Sequence, residues 1–141
     1  MKTLVAFYSF SGHTKAYAKE LAQTLCADRQ ELRPAKPVGR LRAYTAGCFA
    51  AIKGTAWGIQ PIEADLDAYD LLVICAPVWA GNAAPYVNSL LEMLPAGKEV
   101  RFKLISASGE SNCRERLEDK LAQRGCKLTD LENVKILNFK R

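Results

Sequence analysis

Short apolar runs alternate with stretches of helical period along this chain. Leu4-Val5-Ala6-Phe7-Tyr8 is continuously apolar, the pattern of a strand covered on both faces. Beyond the turn Ser9 to Gly12, Ala18, Leu21, Ala22 and Leu25 recur at spacings of three and four and make one helical stripe. Gln30 to Pro34 reads as a second, more polar strand at a sheet edge, and Pro34 and Pro37 mark a connection. Leu41 to Lys53 reads as a helix weakened at Gly47. Leu71-Leu72-Val73-Ile74-Cys75-Ala76 is the strongest buried-strand signal in the chain. Val87, Leu90, Leu91 and Leu94 return to helical spacing, and Val100 to Ser106 is the next strand. Asn112 is expected to cap a helix that runs to Arg124 and stops at Gly125. A last strand is expected over Val134 to Phe139.

This β-α-β-α-β-α-β-α-β order predicts a mostly parallel sheet with helices on both faces. In such open sheets, ligands sit beyond the carboxyl ends of the strands, where the connection direction reverses. The turns after the first, third and fourth strands are therefore the places to look for chemistry.

The first of them reads Ser9-Phe10-Ser11-Gly12-His13-Thr14. Hydroxyl residues around one glycine let several N–H groups converge at the positive end of a helix, which makes an anion cradle. One cap needs one hydroxyl. Three of them, Ser9, Ser11 and Thr14, exceed that need and point to a phosphate. The spacing of a P-loop or of a dinucleotide fingerprint is absent. The second turn is Pro77-Val78-Trp79-Ala80-Gly81-Asn82, where Trp79 is a core anchor or a platform for a planar ligand, and Ala80 and Gly81 leave room beside it. The third, Ser106 to Asn112 with Ser108 and Gly109 at its centre, is small and polar and holds no aromatic residue.

The first turn resembles the phosphate loop of flavodoxins, Ser/Thr-x-Thr/Ser-Gly-x-Thr, matched by Ser9, Ser11, Gly12 and Thr14. The run Ala76 to Pro85 and the loop around Ser108 and Gly109 are similar to the two loops that flank the flavin in that family. The resemblance implies an α/β fold, a flavodoxin-like doubly wound five-stranded parallel sheet in the order 2-1-3-4-5. It also implies non-covalent FMN, with Ser9, Phe10, Ser11, Gly12, His13 and Thr14 at the phosphate. Pro77, Val78, Trp79, Ala80, Gly81, Asn82, Ser108 and Gly109 would then lie around the ring. A peptide within Trp79-Ala80-Gly81 would rotate to meet N5 of the flavin. Two departures stand out. Electron-carrier flavodoxins are acidic and end in a fifth helix, whereas here Lys140 and Arg141 alone follow the expected last strand. One sheet face should then lack a cover, which implies a homodimer or a partner subunit over it.

Composition narrows the rest. The 141 residues suit one domain, expected over 1–141, and no run approaches the ~18 apolar residues of a membrane span. The apolar run near the start is too short for a secretory leader, so a cytoplasmic protein with no membrane partner is expected. Cys26, Cys48, Cys75, Cys113 and Cys126 are scattered without metal spacing and read as reduced apolar filler. From Arg29 to Lys53, six bases face Glu31 alone, which accounts for the whole net charge of +5. That patch suits an anionic nicotinamide cofactor or a quinone-like substrate of a reductase better than the basic partners of a flavodoxin carrier. With the flavin doing the redox chemistry, no catalytic acid, base or nucleophile is required. The rivals are a flavodoxin-like binding, regulatory or assembly module without turnover, and a nucleic-acid binder, for which no aromatic-interleaved basic motif exists.

Overall fold

The computed structural model describes residues 2–136. Its parallel sheet forms from β1 (Thr3–Phe7), β2 (Asp28–Glu31), β3 (Leu71–Trp79), β5 (Glu99–Ser106) and β6 (Lys127–Lys135), in the order β2-β1-β3-β5-β6. Counted without the two-residue β4 (Asn82–Ala83), which folds back antiparallel on the end of β3, this is the expected order 2-1-3-4-5. The helices are α1 (His13–Leu25), α2 (Arg40–Arg42), α3 (Cys48–Lys53), α4 (Tyr86–Glu92) and α5 (Arg114–Gln123). A wider π turn, Ala43–Gly47, joins α2 to α3 into one continuous helical segment.

Strand alternation divides the core in two. Leu4, Ala6, Leu72, Ile74, Val100, Phe102 and Leu104 pack with residues of α4 and α5 on one face. Val5, Phe7, Leu71, Val73 and Cys75 pack with Ala18 and Ala22 of α1 on the other. Burying each large side chain of this kind contributes about 1.5–3 kcal/mol, so the two faces of β3 anchor the fold. Among the described residues, α1 is the helix on the second face. The β5–β6 part of that face is apolar at its carboxyl end, where Ile105 and Val134 join the α1 cluster, and ionic towards its start. Lys103 Nζ lies 2.8 Å from Glu132 Oε1, and Arg101 lies 3.0 Å from Glu99, which also accepts from the Thr129 hydroxyl at 2.8 Å.

Three boundaries depart from expectation. The second strand is Asp28–Glu31 rather than Gln30 to Pro34, because Pro34 lies apart in a bridge to Ile59. The last strand is Lys127–Lys135, seven residues earlier than Val134 to Phe139. It is an edge strand with exposed polar positions, so it shows no apolar run; residues 137–139 of the expectation lie outside the described residues. The helix after Ser108 starts at Arg114, and its cap position is Cys113, not Asn112. Its end is as expected. Gly125 N–H donates to Ala122 O at 3.0 Å, and Cys126 N–H reaches back to Leu121 O at 2.8 Å.

Candidate functional site

The three turns meet at the carboxyl edge of the sheet. In the first, Gly12 takes φ 97° directly before α1, a conformation that favours glycine. Its N–H donates to Ser9 Oγ at 3.0 Å, which leaves the Ser9 hydroxyl proton free to point elsewhere. Ser11 Oγ and His13 Nδ1 share a hydrogen bond of 2.8 Å. Thr14 is buried in the first turn of α1, and Phe10 is exposed. The helix supplies no acidic residue in its first turn, so its positive end is uncompensated.

In the second turn, Trp79 pairs with Asn82 across a two-residue hairpin. Ala80 at φ 52° and Gly81 at φ 81° form its tip, the positive-φ pair that such a tight hairpin demands. Pro77 lies within β3, and its carbonyl accepts Ala84 N–H at 3.1 Å, while Val78 pairs with Ala83. Asn82 turns inward. Its Nδ2 donates to Ala80 O at 3.1 Å and its Oδ1 accepts from Arg116 at 3.2 Å, so it braces the hairpin rather than facing a ligand.

In the third, Gly109 N–H donates to Ser106 Oγ at 2.9 Å and Glu110 N–H to Ser108 Oγ at 3.2 Å. A Cβ at Gly109 would stand 2.6 Å from Lys135, so the end of β6 packs against this loop. Asn112, expected as a helix cap, instead donates its N–H to Gly81 O at 2.7 Å. That bond ties the second and third turns together. Between them lies a cavity of about 510 Å³ lined by Val78, Gly81, Ser106, Ser108, Glu110 and Asn112, among others.

The first and second turns are joined by rings. Phe10 stands edge-on to Trp79 at 5.9 Å, and Tyr8 does the same at 5.9 Å. Trp57 and Tyr86 complete the cluster at 6.4 Å from Trp79. Trp79 is therefore an anchor of the core as well as a wall of the site. Burial raises the hydroxyl pKa of both Tyr8 and Tyr86 above the usual tyrosine value. The sequence reading missed Trp57, Tyr86 and Tyr8. Two of these follow or precede the turns by only a few residues, but Trp57 comes from a separate segment and carries no local signal.

Neither a family model nor a curated protein matches the chain. Solved structures do. A flavoprotein of Lactobacillus acidophilus NCFM in complex with FMN is 22% identical, with 92% of this chain and 91% of that one covered and a TM-score of 0.72. A Bacteroides eggerthii chain described as a flavoprotein gives 20% identity, 97% and 92% coverage, and a TM-score of 0.77. Oxidised flavodoxin 1 of Bacillus cereus gives 17%, 96% and 83%, and 0.53. With the strand order and the meeting of three turns at one edge, these likenesses establish the flavodoxin-like fold for this chain.

Proposed function

We propose that this chain binds FMN without covalent attachment and uses it as a redox protein, with a reductase role favoured over that of a flavodoxin carrier. The observation that carries the reading is the linkage of the three turns: Phe10 to Trp79 by ring contact, and Gly81 to Asn112 by a hydrogen bond. In this reading the phosphate takes the first turn, where Gly12, the α1 N–H groups and the hydroxyls of Ser9 and Ser11 converge. Phe10 and Trp79 bound the ring system, and the Ser106 to Asn112 loop faces its polar edge. FMN when bound supplies the one- and two-electron chemistry. The protein holds it and shields it, and Asn82, bonded to Ala80 O, restrains the Ala80–Gly81 peptide, so a rotation of that peptide towards the ring has to break this bond.

A reductase needs a place for its substrate. On the far side of Trp57 and Tyr86, a cavity of about 300 Å³ is lined by Lys36, Arg42, Trp57 and Tyr86, with no carboxylate in its wall. The Arg42 guanidinium stacks 5.4 Å from the Trp57 ring. Cations over aromatic walls suit an anionic nicotinamide cofactor or a planar quinone-like substrate in a cytoplasmic enzyme. A homodimer or partner subunit over the β5–β6 face would meet Arg101, Lys103 and Glu132, and would weaken with salt.

The test is the visible spectrum of the purified chain before and after FMN, and then after anaerobic NADPH. A shifted flavin band with quenched fluorescence supports the cofactor, and bleaching by NADPH supports the reductase. An FMN spectrum that the protein leaves unperturbed sinks the reading.

A further inference from the structure

The helical segment from Arg40 to Lys53 is built inside out. The side it turns to the body carries Ala43, Gly47, Ala50 and Ala51, all buried and all small. Its large apolar residues face water: Leu41 is 78% exposed, Tyr44 72%, Phe49 60% and Ile52 48%. An ordinary surface helix does the reverse. The small residues have a local reason, since they let the backbone seat against Trp79 and Trp57. The large ones serve no such packing, and contiguous exposed apolar surface of this kind marks an interaction site.

Charge identifies the occupant. From Leu32 to Ile62 the chain contains Arg33, Lys36, Arg40, Arg42 and Lys53 and no acidic residue. Lys53 Nζ stands 4.5 Å over the exposed Phe49 ring. From α5, the part-buried Arg116 and Lys120 donate to Ala51 O and Gly54 O and hold the inner side of the segment, so the exposed cations of the stripe are those of the segment itself. A second copy that met this face with the same face would set Arg40, Arg42 and Lys53 against their own like charges. A surface that is apolar in the middle, aromatic in part and basic at its margins matches the boundary between anionic headgroups and acyl chains.

We propose that the Leu41, Tyr44, Phe49, Ile52 face docks this protein on an anionic membrane surface. The four side chains enter the headgroup boundary while Arg40 and Lys53 meet lipid phosphates. The contact departs from the expectation of no membrane partner and is peripheral: among the described residues, no helix is long and apolar enough to cross a membrane. It goes beyond the flavin reading and needs no cofactor. Because Gly47 seats on Trp79 from the buried side, docking leaves the helix itself, about 10 Å thick, between the site hairpin and the bilayer.

Sedimentation of the full chain with vesicles tests this, with and without FMN. The chain is expected to pellet with phosphatidylcholine–phosphatidylglycerol vesicles and to stay in solution with phosphatidylcholine alone. The double variant Leu41→Ser, Phe49→Ser keeps the net charge and should lower partition by about tenfold or more. Its thermal midpoint, unchanged because both side chains are exposed, shows that the fold survives. Equal pelleting of variant and wild type would reduce the effect to the adsorption of any basic protein and overturn the proposal. A wild type that ignores both vesicles at low salt overturns it as well and leaves the stripe to an acidic protein. Self-association without vesicles that the double variant abolishes assigns the face to a second copy instead.

Discussion

Gly47 lies directly against Trp79: a Cβ at position 47 would stand 2.7 Å from Cζ3 of the indole. This contact joins the segment that carries the exposed apolar stripe to the hairpin that walls the proposed cofactor site. Gly47→Ala forces either the helix or the indole to shift, and is expected to destabilise the fold by about 1–3 kcal/mol. Trp79→Phe in the same chain makes room and should recover part of that loss. Urea denaturation of the two single variants and the double variant measures the coupling. Strictly additive losses would show that the two positions do not press on one another.

The proposed phosphate site in the first turn has a charge-specific test. Gly12→Asp places a carboxylate and a side chain where N–H groups converge, and is expected to abolish FMN binding in a fluorescence titration. Gly12→Asn carries a similar bulk at the same positive φ, which Asn tolerates, but no charge. It should lose affinity less severely. If both variants bind FMN like the wild type, the phosphate does not sit in this turn.

Arg116 links three elements through one guanidinium. It donates to Ala51 O at 3.0 Å and to Asn82 Oδ1 at 3.2 Å, and Asn82 in turn holds Ala80 O. Arg116→Met keeps the aliphatic stem but orphans the acceptor of the buried Asn82, which costs about 1–3 kcal/mol. Urea unfolding should show that loss. Because Asn82 also braces a hairpin with Ala80 at φ 52°, Arg116→Met is expected to weaken FMN binding too. Stability equal to wild type would mean that Asn82 finds another donor.

The sheet was legible because its central strands are buried on both faces: Leu4 to Tyr8 and Leu71 to Ala76 had no alternative reading. The edge strands were not. Asp28–Glu31 and Lys127–Lys135 are held by ladder bonds and ion pairs, so their sequences look like loops. The tight turn before α1 could be read from Ser9, Ser11 and Gly12 because its geometry is local. Asn112 was misplaced for the opposite reason. Its partner is Gly81, thirty-one residues away, and nothing near Asn112 announces that bond. The outward stripe escaped as well, since Leu41, Tyr44, Phe49 and Ile52 fit a helical period whichever way the helix faces.

Alkaline pH should unfold this protein in two overlapping stages. Burial pushes the Cys75 thiol from its ordinary 9.0 up to about 12. Burial, with Glu132 adding to it, pushes Tyr17 from 10.0 up to about 12. Both are acids whose folded pKa is raised. Above the ordinary value, the unfolded chain releases a proton that the folded chain keeps, so stability falls as pH rises. The contribution is whole below pH 9 and is lost progressively towards 12. Thermal midpoints measured across that window should hold steady below 9 and then drop. Burial raises the Cys113 thiol from the same 9.0, so Cys75→Ala should make the stage that begins near 9 shallower without abolishing it, and leave the tyrosine stage that begins near 10 unchanged. The variant has a lower midpoint throughout because a buried group is gone, so the slope against pH is the quantity to compare. An unchanged slope in Cys75→Ala would mean that the thiol reaches water in the folded state.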